Sequence, residues 1–356
     1  MFDPTIPNND LVLLPSDFDY DQTQILKATI KANNALAKLN GLAVLLPNAD
    51  LLISPLLIKE SVESNAIENI NTTTIKVLQA EAINSSSLKW PEKEVLWYRK
   101  ALLQGIQQIA HDGWISTKLL TQLQWILVPH HTNIRKQSWV VIKKGDKVVY
   151  TPPEWETVIL NLLSNLEKFI NNHEDDIDPL IKIAVIHYQF ESIHPYSDGN
   201  GRTGRILMIL YLLVTNKLEY PVLFLSEYIN RTRPTYYNLL NHTNQTNNYT
   251  EFIMYILSAI AQQSSIAESK IMQINQLMQQ IQTILSTNTN LDYHKITMIL
   301  FTYPYISISD LGEKLWVARQ TMTRYVSQIE STDMIKTIKI GRNSLLYIPA
   351  FIELLS

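Results

Sequence analysis

Hydrophobic residues along the chain recur mainly at three- and four-residue intervals, with polar positions between them. This spacing places apolar side chains on one face of an α-helix, so the sequence predicts a mainly α-helical fold. A helix over 21–40 is expected to end at Gly41, a residue type common at helix C-termini. Further helices are predicted over about 55–71, 73–82, 91–110, 116–128, 154–171, 179–190 and 202–215, and over most of 221–260.

Residues 139–150 break the helical pattern. Two arms rich in β-branched residues flank a Lys-Gly-Asp turn, which predicts a β-hairpin. Pro152 and Pro153 follow directly and end the second strand. The expected fold is therefore a helical bundle that carries one hairpin.

The last hundred residues differ in composition. From Ala261 the chain is rich in Gln, Ser, Asn and Thr but keeps an apolar stripe, which predicts a polar helix with a break at 286–290. The helices and strands predicted after it follow the order of a winged helix-turn-helix, over 292–302, 309–315, 318–331, 335–340 and 344–348. Four parts are expected: an N-terminal helical region 1–110, a core 111–260, a helical linker 261–290 and a winged domain 291–356.

Bulk properties narrow the function. The chain has 356 residues, 46% of them apolar, a net charge of -3 and no cysteine. These values disfavour a general attraction to nucleic acid or acidic membranes, and they exclude disulfides and thiol chemistry. Neither a secretory signal nor an apolar run of membrane-spanning length is visible, so a soluble, cytoplasmic protein is expected.

The most specific chemical feature is the segment from His194 to Arg205, which runs into an apolar helix. Pro195 disfavours helical geometry at His194, so this imidazole is expected at a helix edge. Glycines in the segment let main-chain N–H groups approach a ligand, and the following helix adds its positive N-terminus. Arg202 and Arg205 lie three apart on one face and can hold one phosphate chain.

These residue types predict a site for a metal-bound phosphate chain beside a base. Asp198 would hold a hard cation, for which Mg²⁺ is the best match, and His194 can take a proton from a hydroxyl. A metallohydrolase using His187, His194 and Asp198 is one alternative, but it leaves the arginines unexplained and fits known ligand spacings poorly. A purely structural loop is another. The sequence contains no P-loop.

This segment resembles the signature of the Fic family, His-Pro-Phe-x-Asp-Gly-Asn-Gly-Arg-x-x-Arg, at every defined position except Tyr196. The resemblance extends over most of residues 1–260. It implies a nucleotidyltransferase that moves AMP from ATP to a Ser, Thr or Tyr hydroxyl of a target protein, or of itself, with His194 as base and Asp198 as Mg²⁺ ligand. The implied nucleotide-binding residues are Asp198, Gly199, Asn200, Gly201, Arg202, Thr203, Gly204 and Arg205.

The resemblance also assigns more distant residues. The hairpin becomes a flap that clamps the target by strand addition and covers the nucleotide, with contacts from Val140, Val141, Ile142 and Lys143. Contacts to adenine and ribose are expected from Tyr236, Tyr237 and Asn244. The alternatives are a surface hairpin without contacts and a pair of tyrosines that pack in the core.

Residues 64–69 match the inhibitory motif of the same family, (Ser/Thr)-x-x-x-Glu-(Gly/Asn), at Ser64, Glu68 and Asn69. Ser64 and Glu68 share one face of the predicted helix. The resemblance implies that Glu68 pairs with Arg205 and withholds it from the γ-phosphate, so that ATP binds unproductively. Because this helix precedes the core, inhibition would be intramolecular. A solvated surface glutamate is the alternative.

The sequence of the winged domain does not identify its binding partner. Basic residues on its predicted recognition helix and wing, partly offset by acids, give only a modest signal for DNA. Protein interaction and homodimerisation suit the same fold. For the activity, the open alternatives are removal of AMP, another phosphate transfer at the same site, and a nucleotide-sensing DNA-binding regulator.

Overall fold

The computed structural model describes residues 2–44, 49–83, 88–129, 133–136, 140–288 and 292–355. Helices dominate it, which confirms the mainly α-helical fold class. In chain order the first helices are α1 (Thr23–Val44), α2 (Ala49–Ile67), α3 (Thr74–Ala82), α4 (Trp90–Asp112), α5 (Thr117–Leu127), α6 (Glu156–Asn171), α7 (Pro179–Ile193) and α8 (Asn200–Val214). The remaining helices are α9 (Ser226–Arg231), α10 (Arg233–Thr246), α11 (Thr250–Asn288), α12 (Tyr293–Thr302), α13 (Ile308–Leu315), α14 (Arg319–Glu330) and α15 (Pro349–Leu355). The strands are β1 (Ile142–Lys144), β2 (Lys147–Tyr150), β3 (Tyr305–Ser307), β4 (Lys336–Ile340) and β5 (Asn343–Tyr347).

The chain forms two compact units, each built from two separate stretches of sequence. The first comprises residues 1–40 and 97–265, and the second comprises 41–96 and 266–356. This division cuts across the four-part organisation predicted from composition. In particular, the stretch 41–96 belongs with the C-terminal residues, whereas sequence grouped it with the N-terminal region.

The first unit is arranged around α7, which packs between α6 and α8. Residues from Leu180 to Phe190 are buried on every side of this helix, as its apolar sequence predicts. Asp178 caps its start by accepting a 2.7 Å hydrogen bond from the Leu180 N–H, and Pro179 occupies the first helical position. The helix ends at Ile193, so His194 begins the loop that leads to α8.

The hairpin predicted near 139–150 is present as the antiparallel pair β1 and β2. Lys144 pairs with Lys147 across a two-residue turn, where Gly145 takes a left-handed φ of 63°. A bulge between Ile142 and Lys143 shifts the register. Val140 and Val141 precede the first strand, and Trp139 lies outside the described residues.

Two helix boundaries differ from the sequence expectation. Helix α1 passes through Gly41 and continues to Val44, because a single glycine costs a helix only about 1 kcal/mol. Helix α2 begins at Ala49, and Pro55 lies inside it, not at its first turn. A proline there removes one main-chain donor, and tertiary packing compensates for it since Leu56, Leu57 and Ile58 are buried.

In the second unit, α2 packs against α12 and α15, and α3 packs against β3. The C-terminal residues form the three helices and two strands predicted for a winged helix-turn-helix, within one or two residues. The sheet has the order β3-β5-β4. Strand β3 and helix α15 were not predicted, since both are short. None of the described helices is long and apolar enough to cross a membrane.

Candidate anion-binding and proton-transfer site

His194 has an unusual main-chain conformation. It caps the end of α7 with φ 48° and ψ 58°, in the left-handed region that non-glycine residues seldom occupy. The helix therefore ends before Pro195, as predicted, while the left-handed conformation of His194 was not predicted. Such a residue needs support from its surroundings, because the conformation itself is unfavourable.

The loop after His194 is braced from within by Asn200. The Asn200 Oδ1 accepts a 2.9 Å bond from the N–H of Tyr196, and its Nδ2 donates a 2.7 Å bond to the carbonyl of the same residue. The Tyr196 hydroxyl, which the family signature lacks, lies 3.2 Å from Thr121 Oγ1 inside the bundle. Asn200 is therefore primarily a loop brace, and the substitution at Tyr196 has a hydrogen-bonding partner.

The start of α8 combines main-chain donors with two buried cations. Gly199 caps this helix at φ 84°, a conformation that favours glycine, and the first amides of any helix lack acceptors within it. Arg202 and Arg205 are only 4% and 2% exposed. Two guanidinium groups on consecutive turns at a helix N-terminus form a site for phosphate.

Asp198 is the acidic member of the loop. One of its carboxylate oxygens accepts a 2.6 Å bond from the Gly199 N–H and lies 3.6 Å from Nη2 of Arg202, while the side chain is 55% exposed. Its main-chain carbonyl accepts a 3.0 Å bond from the buried Gln124. The carboxylate is thus held in place and still open to solvent.

A Mg²⁺ ion fits this arrangement. Mg²⁺ bound with a nucleotide uses one or two carboxylates, phosphate oxygens and several waters. Asp198 supplies such a carboxylate beside the phosphate site. Within the described ranges, no group of three or more His, Asp or Glu residues could hold a metal.

His187, the further histidine of that alternative, lies in the core. It is fully buried, and its Nε2 is 2.9 Å from the Tyr236 hydroxyl. Burial, with a smaller contribution from the charge of Arg205, lowers its pKa to about 3. It therefore stays neutral near pH 7 and has a packing role.

Gly204 is required by the close contact between α7 and α8. A methyl group at this position would overlap Glu191 Oε1 and would lie 3.1 Å from Cδ1 of Phe190 and 3.3 Å from Cε1 of His187. The glycine lets the two helices approach, and the charge of Arg205 acts on His187 of α7. Gly204 therefore sets the distance between α7 and α8. Thr203 Oγ1 donates a 2.8 Å hydrogen bond to the Gly199 carbonyl at the start of α8.

The hairpin is attached at its base to the end of α7, just before the His194 loop. The Tyr150 hydroxyl, at the end of β2, donates a 2.9 Å hydrogen bond to the Ser192 carbonyl. Thr151 Oγ1 donates a 2.6 Å bond to the Pro4 carbonyl, and the ring of Phe2 stacks near that of Tyr150. The N-terminal segment therefore holds the second strand of the hairpin.

Arg135 is the main site residue that sequence reasoning missed. It is 4% exposed, and its side chain donates to carbonyls of both the His194 loop and the segment after the flap. Burial lowers its pKa to about 10, so it remains charged near neutral pH. Its signal in the sequence is only a lone arginine between a helix and the hairpin.

The residues assigned to adenine and ribose have different environments. Tyr236 is buried among aromatic rings and Tyr237 is 39% exposed. Asn244 Oδ1 accepts hydrogen bonds from Tyr188 Oη at 2.7 Å and Ser192 Oγ at 3.0 Å. Only Tyr237 of the three presents substantial surface to a ligand, and Asn244 supports the end of α7.

The inhibitory motif belongs to the second unit. Ser64 is fully buried in α2, whereas Glu68 is exposed and is the first residue after this helix. Asn69 has a left-handed φ of 62°, and the Ile70 N–H donates a 3.0 Å bond back to the Asn65 carbonyl. Glu68 thus sits in a helix-terminating turn, not within the helix as predicted.

The His194 loop, the two buried arginines of α8 and the base of the hairpin all belong to the first unit. Comparison with protein families is more specific. The model "Fic/DOC family N-terminal" matches residues 26–107, and the model "Fic/DOC family" matches 114–212. The chain belongs to the Fic/DOC family. Residues 277–351 match the "Protein adenylyltransferase SoFic-like, C-terminal domain".

Named relatives share shorter stretches. A protein of Aquifex aeolicus named "Probable protein adenylyltransferase" is 34% identical over 96 residues, which are 26% of this chain and 29% of that protein. The "Protein adenylyltransferase Fic" of Drosophila melanogaster is 33% identical over 85 residues, 24% of this chain and 16% of its own length. The chain thus spans less than a third of either relative.

Solved structures share the fold. A Fic family protein from Desulfovibrio desulfuricans G20 aligns with a TM-score of 0.59 at 19% identity, covering 92% of this chain and 97% of that one. Residues 134–508 of Fic-1 from Caenorhabditis elegans align with a TM-score of 0.56 at 18% identity, covering 71% and 74%. At such identities the likeness concerns the fold alone.

Proposed function

We propose that this protein is a protein adenylyltransferase, which transfers AMP from ATP to a Ser, Thr or Tyr hydroxyl of a target protein and releases pyrophosphate. The observation that carries the proposal is the placement of Arg202 and Arg205 at the N-terminus of α8, one short loop after His194. One of the named relatives is named a protein adenylyltransferase and the other a probable one, and this supports the proposal.

In the proposed reaction His194 takes the proton from the target hydroxyl. The hydroxyl oxygen then forms a bond to the α-phosphorus, and the bond from that phosphorus to the oxygen leading to the β-phosphate breaks. Pyrophosphate leaves with the electron pair. Arg202 and the first amides of α8 stabilise the charge on the α- and β-phosphates, and Arg205 orients the γ-phosphate.

Asp198 would hold Mg²⁺ against the same phosphates, and the ion would neutralise the charge that develops on the leaving pyrophosphate. The exposed side chain of Asp198 supports this role, because the ion must keep waters and reach phosphate oxygens. The flap would guide the target segment by pairing main chain with β1.

We further propose that the activity is inhibited from within the chain by Glu68, which competes with the γ-phosphate for Arg205. The support is the inhibitory motif at Ser64–Asn69 together with the exposed position of Glu68 in the turn after α2. A carboxylate there offers the negative charge that a guanidinium otherwise takes from phosphate.

The test is labelling of protein with ATP carrying radioactive phosphorus at either the α- or the γ-position. We expect Mg²⁺-dependent transfer of the α-label that His194→Ala abolishes. Transfer of the γ-label would indicate a kinase-like reaction, and loss of AMP from a modified protein would indicate the reverse activity. Labelling that survives His194→Ala would remove the assigned base. Salt-dependent binding of duplex DNA with no transfer at all would favour a nucleotide-sensing regulator.

A further inference from the structure

Arg135 makes hydrogen bonds to two separate parts of the first unit. Its Nε donates a 2.8 Å bond to the carbonyl of His194, and its Nη2 donates a 3.3 Å bond to that of Ile193. Nη2 also donates to the carbonyl of Pro153, three residues after the last flap strand. Its main-chain N–H donates a 2.9 Å bond to the Pro195 carbonyl.

Three successive carbonyls of the loop, at residues 193–195, are therefore held by one residue. The loop is the part of the chain where His194 takes its left-handed conformation, which needs outside support. The planar guanidinium has donors in a fixed fork, so carbonyls that share it keep a fixed distance from one another. A lysine has one rotating ammonium and cannot reproduce this geometry.

The hydrogen bond to the Pro153 carbonyl connects Arg135 to the flap as well as to the loop. Pro152 and Pro153 are rigid and buried, and they connect β2 to α6. The Tyr150 hydroxyl makes a second link, from the flap to the last turn of α7 directly before the loop, through the Ser192 carbonyl. A shift of the flap base is thereby coupled to a shift of the loop.

We propose that Arg135 is a positioning residue that holds the flap and the His194 loop in a fixed position relative to each other. A target segment paired with the flap then presents its hydroxyl to the imidazole at a fixed distance. Arg135 acts through His194 and the flap and touches no reacting atom in this scheme. The inference rests on the proposed transfer reaction and extends that proposal by naming the residue that aligns the base with the target hydroxyl.

The kinetic test uses Arg135→Lys, which keeps the charge, beside Lys136→Ala, which removes the neighbouring exposed cation. For Arg135→Lys we expect the kcat of target modification to fall on the order of a hundredfold and the KM for the target to rise, because a displacement of about 1 Å has such an effect. The Kd for ATP should not change, since Arg202 and Arg205 hold the nucleotide. Lys136→Ala should match the wild type. A fall in ATP affinity equal to the fall in kcat would overturn the proposal.

A second readout does not depend on activity. In Arg135→Lys, amide hydrogen exchange should speed up together in residues 147–150 of the flap and in residues 192–196, while α6 and the middle of α7 keep their protection. Unchanged exchange in either segment, or a uniform increase over the unit, would overturn the inference. Arg135→Gln replaces the lysine variant if that one does not fold, and unfolding of both would mark Arg135 as purely structural. A wild-type protein that transfers no AMP would refute the proposed function, yet the exchange result would still decide the role of Arg135.

Discussion

The hydroxyl of Tyr150 donates a 2.9 Å hydrogen bond to the carbonyl oxygen of Ser192, which joins the end of the hairpin to the end of the central helix. The ring is buried, and burial raises the pKa of Tyr150 above its ordinary value, so the group remains a neutral donor. Two residues further along the chain is His194. The hairpin and the proposed base are therefore linked by one side chain, although 42 positions separate Tyr150 from Ser192.

Replacing Tyr150 by Phe removes this link and leaves the ring in place. We expect the free energy of unfolding to fall by about 1 kcal/mol, because a buried carbonyl loses its donor. The KM for the target protein should rise, while ATP affinity stays unchanged. Denaturant unfolding and initial rates measure both. Tyr303→Phe, at a partly exposed tyrosine of the second unit, is the control, and an equal loss of stability there would contradict the assigned bond.

Two glycine substitutions should have opposite effects. Gly204→Ala puts a methyl group against Glu191, Phe190 and His187, so we expect a loss of about 1–3 kcal/mol in the free energy of unfolding despite the better helix propensity of alanine. Gly41→Ala, in the exposed part of α1, meets no atom within 4 Å among the residues that the structure describes and should stabilise the protein by up to about 1 kcal/mol. Thermal melting of both variants is the measurement. Equal shifts would show that α7 and α8 are not in tight contact at Gly204.

Removing the carboxylate of Glu68 should raise transfer activity. We expect Glu68→Gly to increase the rate of α-label transfer on the order of tenfold, which is an ordinary size for a regulatory coupling. Glu68→Gln should act in the same direction, because the charge is what competes with phosphate. Glu251→Gln, at an exposed glutamate of α11, serves as the matched control. Rates that stay at the wild-type level in both Glu68 variants would refute the inhibitory role.

The buried His187 makes stability depend on pH. Its pKa is about 3 in the folded protein against an ordinary value of 6.5, so between these values the unfolded chain binds a proton that the folded chain does not. Stability from this group is complete above about pH 6.5 and falls as the pH is lowered towards 3. From pH 7 to 5 the loss is about 2 kcal/mol.

His187→Gln keeps a polar group near the Tyr236 hydroxyl and cannot titrate in this range. The variant should therefore show a free energy of unfolding that varies less between pH 7 and 5 than that of the wild type, by about 2 kcal/mol. Urea unfolding at several pH values measures the difference. Parallel curves for the two proteins would mean that folding leaves the pKa of His187 unchanged.

Sequence predicted most of the helices and the loop between α7 and α8 well, because both are encoded locally. Helical periodicity lies within single segments, and Pro195, Gly199 and Asn200 determine the shape of their own loop. The residues that connect segments left no comparable signal. Gln124 reaches the Asp198 carbonyl across 74 positions, and Arg135 reaches that of His194 across 59.

The same limit explains the misplaced boundaries. Gly41 resembles a helix terminator by itself, yet the neighbouring residues continue the helix to Val44. The grouping of residues 41–96 with the C-terminal stretch depends on contacts of α2 with α12 and α15, more than two hundred positions away. Periodicity within a segment carries no information on such partners.

That packing has a consequence for how this protein can be taken apart. The segment with Ser64 and the C-terminal residues share one hydrophobic interior, in which Leu57 and Ile58 of α2 and Leu355 of α15 are buried. A truncation before α12 would therefore not remove an independent domain, since it would also expose the face of α2 that packs against α12 and α15. A chimaera or deletion should therefore keep or remove residues 41–96 and 266–356 together, because the two stretches form one compact unit.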